Sequence, residues 1–235
     1  MSGSESAGAA TSRSVDGRAA RWSGQRERRR AEFVEAALQA IARYGPQTST
    51  EQVAGYVGVT RTKLYRYFDG AADLHHSIAR RASEMLIAAQ RPVWNPTGRP
   101  IDMITHAVSR HLQWRVDHPN LYEYLTRHSL SDDDNGVAAI REVNNAVATN
   151  VTRTLEAYFK AVGLDESPVE TLSFGVIGFV ESAATHWLNN PAPLPLAEFA
   201  AQIAEWMWAL LDKTLQSGGI HLDPHQPIAA PSQTP

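Results

Sequence analysis

Apolar residues recur at a spacing of about 3.6 along almost the whole of this sequence, and that regularity decides the fold class. Phe33, Ala37, Leu38 and Ile41 share one helical face, as do Ile101, Ile104, Val108 and Leu112 and, further on, Phe199, Ile203, Trp206 and Leu210. A half-buried strand would alternate apolar and polar residues, and no hairpin-like stretch of that kind occurs. The chain is expected to be all-α. With 235 residues, 43% of them hydrophobic, it can bury an ordinary core. There is no cysteine. Disulfide staples, thiolate nucleophiles and cysteine-ligated zinc or iron–sulfur sites are therefore excluded. The first twenty residues are small and polar, which is unlike a secretory signal. The longest charge-poor apolar run, Thr171 to Val180, stops at Glu181, far short of the roughly 20 residues that cross a bilayer. A cytoplasmic protein without a membrane partner is expected.

Helix-breaking residues cut the chain into segments. A first helix from about Arg26 ends at Tyr44-Gly45-Pro46, and Thr48 with Glu51 has the spacing of a capping box opening a short helix to Val57. Gly58 makes a turn, Thr60 caps a second short helix over 61–68, and Asp69-Gly70 precedes a long helix to about Arg91. Pro96, Gly98 and Pro100 form a linker. Further helices are expected at 101–116, 119–129 and 137–160, then from Ser167-Pro168-Val169-Glu170 to about Asn189, and finally at 196–216. Residues 1–24 lack large apolar groups and read as a flexible arm, and 217–235, with its prolines and glycines, reads as a disordered tail.

Charge is segregated along the chain. Arg21 to Arg81 holds eleven basic and six acidic residues, whereas everything from Ala82 onward holds nine basic and seventeen acidic. A basic module before an acidic one suits a polyanionic partner. Within that module the two short helices around Gly58 have helix-turn-helix spacing, in which the second helix enters the major groove. Val53, Ala54, Val57, Val59, Leu64 and Phe68 fall inward, leaving Arg61, Thr62, Lys63, Tyr65, Arg66 and Tyr67 outside. Arginine and lysine donate to guanine edges or phosphates, hydroxyls donate to phosphates, and the helix start at Thr60 offers free N–H groups to an anion. Arg26, Arg28, Arg29 and Arg30 lie just upstream, and no acid falls between Gln52 and Asp69.

The stretch from Phe33 to Leu74, with FVEAALQAIARYG, TSTEQVAGYVGV and TRTKLYRYF, resembles the DNA-binding domain of the TetR/AcrR family of transcriptional regulators. The resemblance implies a homodimer with an N-terminal three-helix DNA-binding domain over 25–70. A larger helical domain over 71–216 would then hold an effector pocket and the dimer interface. It also implies phosphate contacts from Thr48, Tyr65 and Tyr67 and base reading from 61–63. Ala71 departs from the pattern, standing where the family usually has a lysine.

Two tasks are expected of the second domain. The segments around Val176, Phe179 and Val180 and around Trp206 and Leu210 carry apolar stripes, with Gly175 and Gly178 allowing close helix approach, and could form an isologous four-helix contact. Between 94 and 159 stand Trp94, His106, His111, Trp114, His118, Tyr122, Tyr124, His128, Tyr158 and Phe159. Of these, His111, Trp114 and Tyr122 are the expected lining of a pocket for a small apolar effector. No metal-ligand spacing, phosphate loop or nucleophile motif appears, so no cofactor, metal or catalytic residue is expected. The reading is a ligand-responsive repressor of operator DNA. The alternatives are a regulator of the same fold controlled by a protein partner, and an α-helical enzyme or carrier.

Overall fold

The computed structural model describes residues 8–89, 98–128 and 139–227, with side chains from Gly24 onward save that of Ala139. Among them all regular structure is helical: α1 (Gly8–Tyr44), α2 (Thr50–Tyr56), α3 (Arg61–Leu64), α4 (Gly70–Ala89), α5 (Pro100–Asp117), α6 (Pro119–Arg127), α7 (Ala139–Ala161), α8 (Val169–Leu188) and α9 (Leu196–Ser217). No described helix is long and apolar enough to cross a membrane. Trp94 and the Asp132-Asp133-Asp134 stretch lie outside the described residues.

Several local expectations are revised by how backbone groups are satisfied. α1 begins at Gly8, well upstream of Arg26, so the expected flexible arm is helical over its described part. That segment is rich in Ala and Arg, and lengthening a formed helix needs no new nucleus. The cap of α2 is Ser49, whose hydroxyl accepts from Gln52 N while Gln52 Oε1 accepts from Ser49 N at 2.8 Å, replacing the Thr48 and Glu51 pairing. Pro168, not Ser167, caps α8, because the Ser167 hydroxyl donates to Asp165 instead.

The chain divides into two compact units, Met1–Ile78 and Ala79–Pro235, with the division inside α4 rather than at residue 70. In the first unit, Phe33, Ala37 and Ile41 of α1, Val53 and Ala54 of α2, and Leu64, Phe68, Leu74 and Ile78 are buried. The turn between α2 and α3 closes through Gly58, whose φ of 68° lies in the left-handed region; Val59 N then reaches Ala54 O at 3.0 Å.

In the second unit α5 packs along α9 and α7 along α8. One apolar cluster joins Val108 and Leu112 to Val176, Val180, Ala184 and Trp187 and to Phe199 and Ile203. A second joins Ile101, Phe159, Val169, Trp208 and Leu215, with Ile220 and Leu222 packed against it. The tail is therefore not loose as far as it is described. Ile101 N, in the first turn of α5, donates to Pro224 O at 3.1 Å, which satisfies an amide that has no acceptor within its own helix. Residues 228–235 lie outside the described part.

Candidate nucleic-acid interface and ligand cavity

On the first unit, Thr60 caps α3, its hydroxyl accepting from Lys63 N at 3.3 Å. Only one turn of α-helix follows, because the backbone tightens after Leu64, where Tyr67 N reaches Leu64 O at 3.0 Å. Leu64 is fully buried and anchors this segment, while Arg61, Thr62, Lys63 and Arg66 stay exposed. The two tyrosines are half-buried. Tyr65 donates its hydroxyl to Thr50 at 3.2 Å and lies under Arg61, whose guanidinium is 5.3 Å from the ring centre. The Tyr67 ring packs 5.3 Å from Phe33.

A groove beside α3 is lined by Arg26 and Arg29 of α1, by the Gly58 turn, and by Lys63, Arg66 and Tyr67. Glu32 is the one acidic residue among the described residues on its wall and is paired with Arg29 at 2.6 Å. Among the described residues, four cations against one carboxylate give the groove a field that attracts a polyanion. Arg28 is exposed on the same stretch of α1, its Nε donating to Gly24 O.

Two basic-arm and motif expectations change. Thr48 is 3% exposed, and its hydroxyl donates to Gly45 O at 2.7 Å, so it closes the end of α1 and cannot reach a phosphate. Arg30 is also unavailable. Its guanidinium forms a two-pronged pair with Asp73 at 2.7 Å on each side, donates to Ser77 Oγ at 3.0 Å and to Tyr67 O, and lies over the Phe68 ring. The hydrogen bond to Asp73 raises the Arg30 pKa, and the same bond holds the Asp73 carboxyl below its ordinary value. Arg30 thus fastens α1 to the start of α4 and to the segment behind α3.

The second unit contains a cavity of about 420 Å³, within the size range of small-molecule sites. Its walls are Ile87 of α4, Met103, Ile104 and Ala107 of α5, Asn150, Val151, Thr154 and Leu155 of α7, Leu172, Ser173 and Val176 of α8, and Met207 and Leu211 of α9. The expected lining residues are elsewhere. His111 and Tyr122 meet Glu181 instead: His111 Nε2 stands 2.9 Å from Glu181 Oε1, and the Tyr122 hydroxyl donates to Glu181 Oε2 at 2.9 Å. Arg115, 4% exposed, completes the group 3.5 Å from Glu181 Oε2, donating also to Thr185 and stacking 3.7 Å from the Tyr122 ring centre. Trp114 is buried with its ring on His118 at 4.9 Å.

Burial opposes the charge on Glu181, yet His111, Arg115 and the Tyr122 hydroxyl outweigh it and hold the carboxyl below its ordinary pKa. Burial and the neighbouring carboxylate push the Tyr122 phenol up to about 12. The aromatic and histidine count drew attention to the wrong positions on α5. Ala107, one turn before His111, does line the cavity. The missed residues on α7 carried one sequence signal, the paired positions 150, 151, 154 and 155 on a single helical face.

Of the residues expected at a dimer contact, Val176 and Val180 are core, 8% and 5% exposed, because that face of α8 meets α5 and α9 within the chain. Trp206 and Leu210 are 48% and 49% exposed, and Phe179 stands 6.0 Å from Trp206, edge to face. A Cβ added at Gly175 or Gly178 would meet open space.

No family model matches the chain. It is similar to an uncharacterised helix-turn-helix transcriptional regulator of Mycobacterium tuberculosis, 23% identical over 206 residues that cover 87% of this chain and 86% of the relative. Among solved structures it resembles a TetR-family transcriptional regulator from Streptomyces coelicolor, with a TM-score of 0.61, 22% identity and coverage of 81% of this chain and 83% of that one. It also resembles the transcriptional regulator FadR from Bacillus subtilis, solved in complex with stearoyl-CoA, with a TM-score of 0.56, 17% identity and coverage of 75% and 96%.

Proposed function

We propose that this chain, which has the fold of the TetR-family transcriptional regulators, is a homodimeric DNA-binding repressor released from its operator by a small apolar effector. The observation that carries the reading is an exposed basic recognition segment on one unit and an apolar cavity inside the other, with one helix, α4, belonging to both. Asp73 near the start of α4 is gripped by Arg30, and Ile87 near its end forms part of the cavity wall. A ligand that repositions α4 at Ile87 acts on the same helix that Arg30 ties to the recognition segment. Differential affinity for the two positions of α4 is what would shift the DNA equilibrium. Thr60, Arg61, Thr62, Lys63 and Tyr67 serve as the DNA-facing set, with Arg28 on α1; the Tyr65 hydroxyl, already donated to Thr50, is not free to donate to a phosphate. Control by a protein partner alone would be served best by a filled interior, and the cavity argues against it. The FadR structure in complex with stearoyl-CoA supports a ligand with a long apolar chain in a protein of this fold.

The dimer in this reading forms through Phe179, Trp206 and Leu210, since a single recognition helix reads too few base pairs and two half-sites solve that. Trp206→Asp is expected to give a folded monomer in sedimentation velocity, because Trp206 is half exposed within its own chain and an unpaired carboxylate is intolerable only in the contact. An unchanged dimer would place the interface elsewhere.

The test of ligand control is Ala107→Trp. The added ring occupies the cavity from α5, and the described lining residues all belong to the second unit. Fluorescence anisotropy on the protein's own promoter DNA should show wild-type binding by this variant, with release by apolar ligands lost. Undiminished release would refute the assignment of the cavity.

A further inference from the structure

The cavity is large enough for a lipid-like molecule, and its chemistry says more than its size. Among the described residues on its wall none is ionisable. The buried His111, Arg115 and Glu181 do not line it, and they already face one another. Of the polar lining groups, two have used their only hydrogen. The Ser173 hydroxyl donates to Val169 O at 2.8 Å, and the Thr154 hydroxyl donates to Asn150 O at 3.0 Å. Both can still accept but cannot donate.

Asn150 differs. Its side-chain amide makes no hydrogen bond among the described residues, so one carboxamide on the wall offers both a donor and an acceptor. Met103 and Met207, unbranched and adaptable, accommodate apolar bodies of varied outline around it. A carboxylate or ammonium entering such a place would lose hydration and find no counter-charge among the described lining residues, a cost far above that of an uncharged polar group given one good hydrogen bond.

Resting on the effector reading above, we propose that the cavity takes an uncharged amphiphile, such as a long-chain alcohol or ester, whose one polar group is read by the Asn150 carboxamide. It rejects the corresponding ions. Asn150 is then the residue that sets ligand class, and the rest of the wall sets only size.

The experiment measures displacement of the neutral fluorophore N-phenyl-1-naphthylamine from the full chain at pH 8 by four probes: 1-dodecanol, methyl dodecanoate, dodecanoate and dodecylammonium. The alcohol and the ester should displace it, with both ions at least about a hundredfold weaker. Asn150→Ala should weaken the alcohol and the ester about tenfold while leaving the ions where they were. Asn150→Asp should invert the order, because the new carboxylate supplies the missing partner for dodecylammonium. Dodecanoate binding within a few-fold of its methyl ester in the wild-type protein would overturn the proposal without recourse to any variant. An unchanged order in Asn150→Asp, in a protein with a wild-type melting profile, would overturn the role of Asn150. If the fluorophore and all four probes fail to bind, the effector reading itself falls and this inference with it. If the neutral probes bind but operator DNA is not released, the coupling to DNA fails while the ligand class stands.

Discussion

Glu181→Leu is expected to destabilise the second unit by about 3 to 5 kcal/mol, the usual cost of removing one partner from a buried ion pair. The residue, on α8, meets His111 and Arg115 of α5 and Tyr122 of α6, and losing its carboxylate strands Arg115, which is 4% exposed, together with His111 and the Tyr122 hydroxyl. Chemical denaturation followed by tryptophan fluorescence would measure the loss. The deficit belongs to the unpaired charge, so replacing the partner should recover much of it. Arg115→Met combined with Glu181→Leu is expected to be markedly more stable than Glu181→Leu alone, since an apolar group of similar volume often substitutes for a buried pair at little cost. The pH dependence follows from the depressed pKa of Glu181. Its contribution is fully present above the pKa of about 4.3 that a glutamate has in an unfolded chain and is lost as pH falls through the lower folded-state value. The difference between the wild type and the double variant should therefore narrow only in acid. A Glu181→Leu protein as stable as the wild type at neutral pH would show that the cluster is not held as an ionic group.

The second large effect is on DNA. Arg61→Ala with Lys63→Ala should abolish measurable specific binding at physiological salt, at about 1 to 3 kcal/mol for each side chain that reads a base. Both residues are exposed and neither supports the core, which rests on Leu64 and Phe68, so thermal stability should hold. Removing two cations also flattens the salt dependence of whatever binding remains, because fewer counterions are released. Arg66→Ala, facing the groove with Arg26 and Arg29, should weaken all sequences alike. If the double variant kept operator affinity and salt slope, α3 would not be the reading element.

Apolar periodicity determined that the chain is helical, because burial along a helix repeats with the helical turn whatever lies opposite, and glycines, prolines and capping residues placed most helix ends within a few residues. The turn at Gly58, the cap at Thr60 and the outward set from Arg61 to Lys63 were legible for the same reason, since each is decided by residues within a few positions of one another. What periodicity could not decide is which element meets a given face. Val176 and Val180 belong to an apolar stripe that suits a dimer as well as a core, and only the packing of α5 and α9 against α8 assigns them to the core. The polar residues depended still more on tertiary structure. Arg30 reads as part of the basic arm beside the motif until Asp73, far along the chain, takes both its nitrogens. His111 and Tyr122 read as cavity residues until Glu181 engages them, and Thr48 reads as a phosphate contact until its hydroxyl turns back to Gly45. A polar group's availability depends on its partner, and in a helical protein that partner often comes from another helix, at a distance no local pattern encodes. Asn150 is the converse, an ordinary surface-type residue in sequence that the fold leaves unpaired among the described residues on the wall of a cavity.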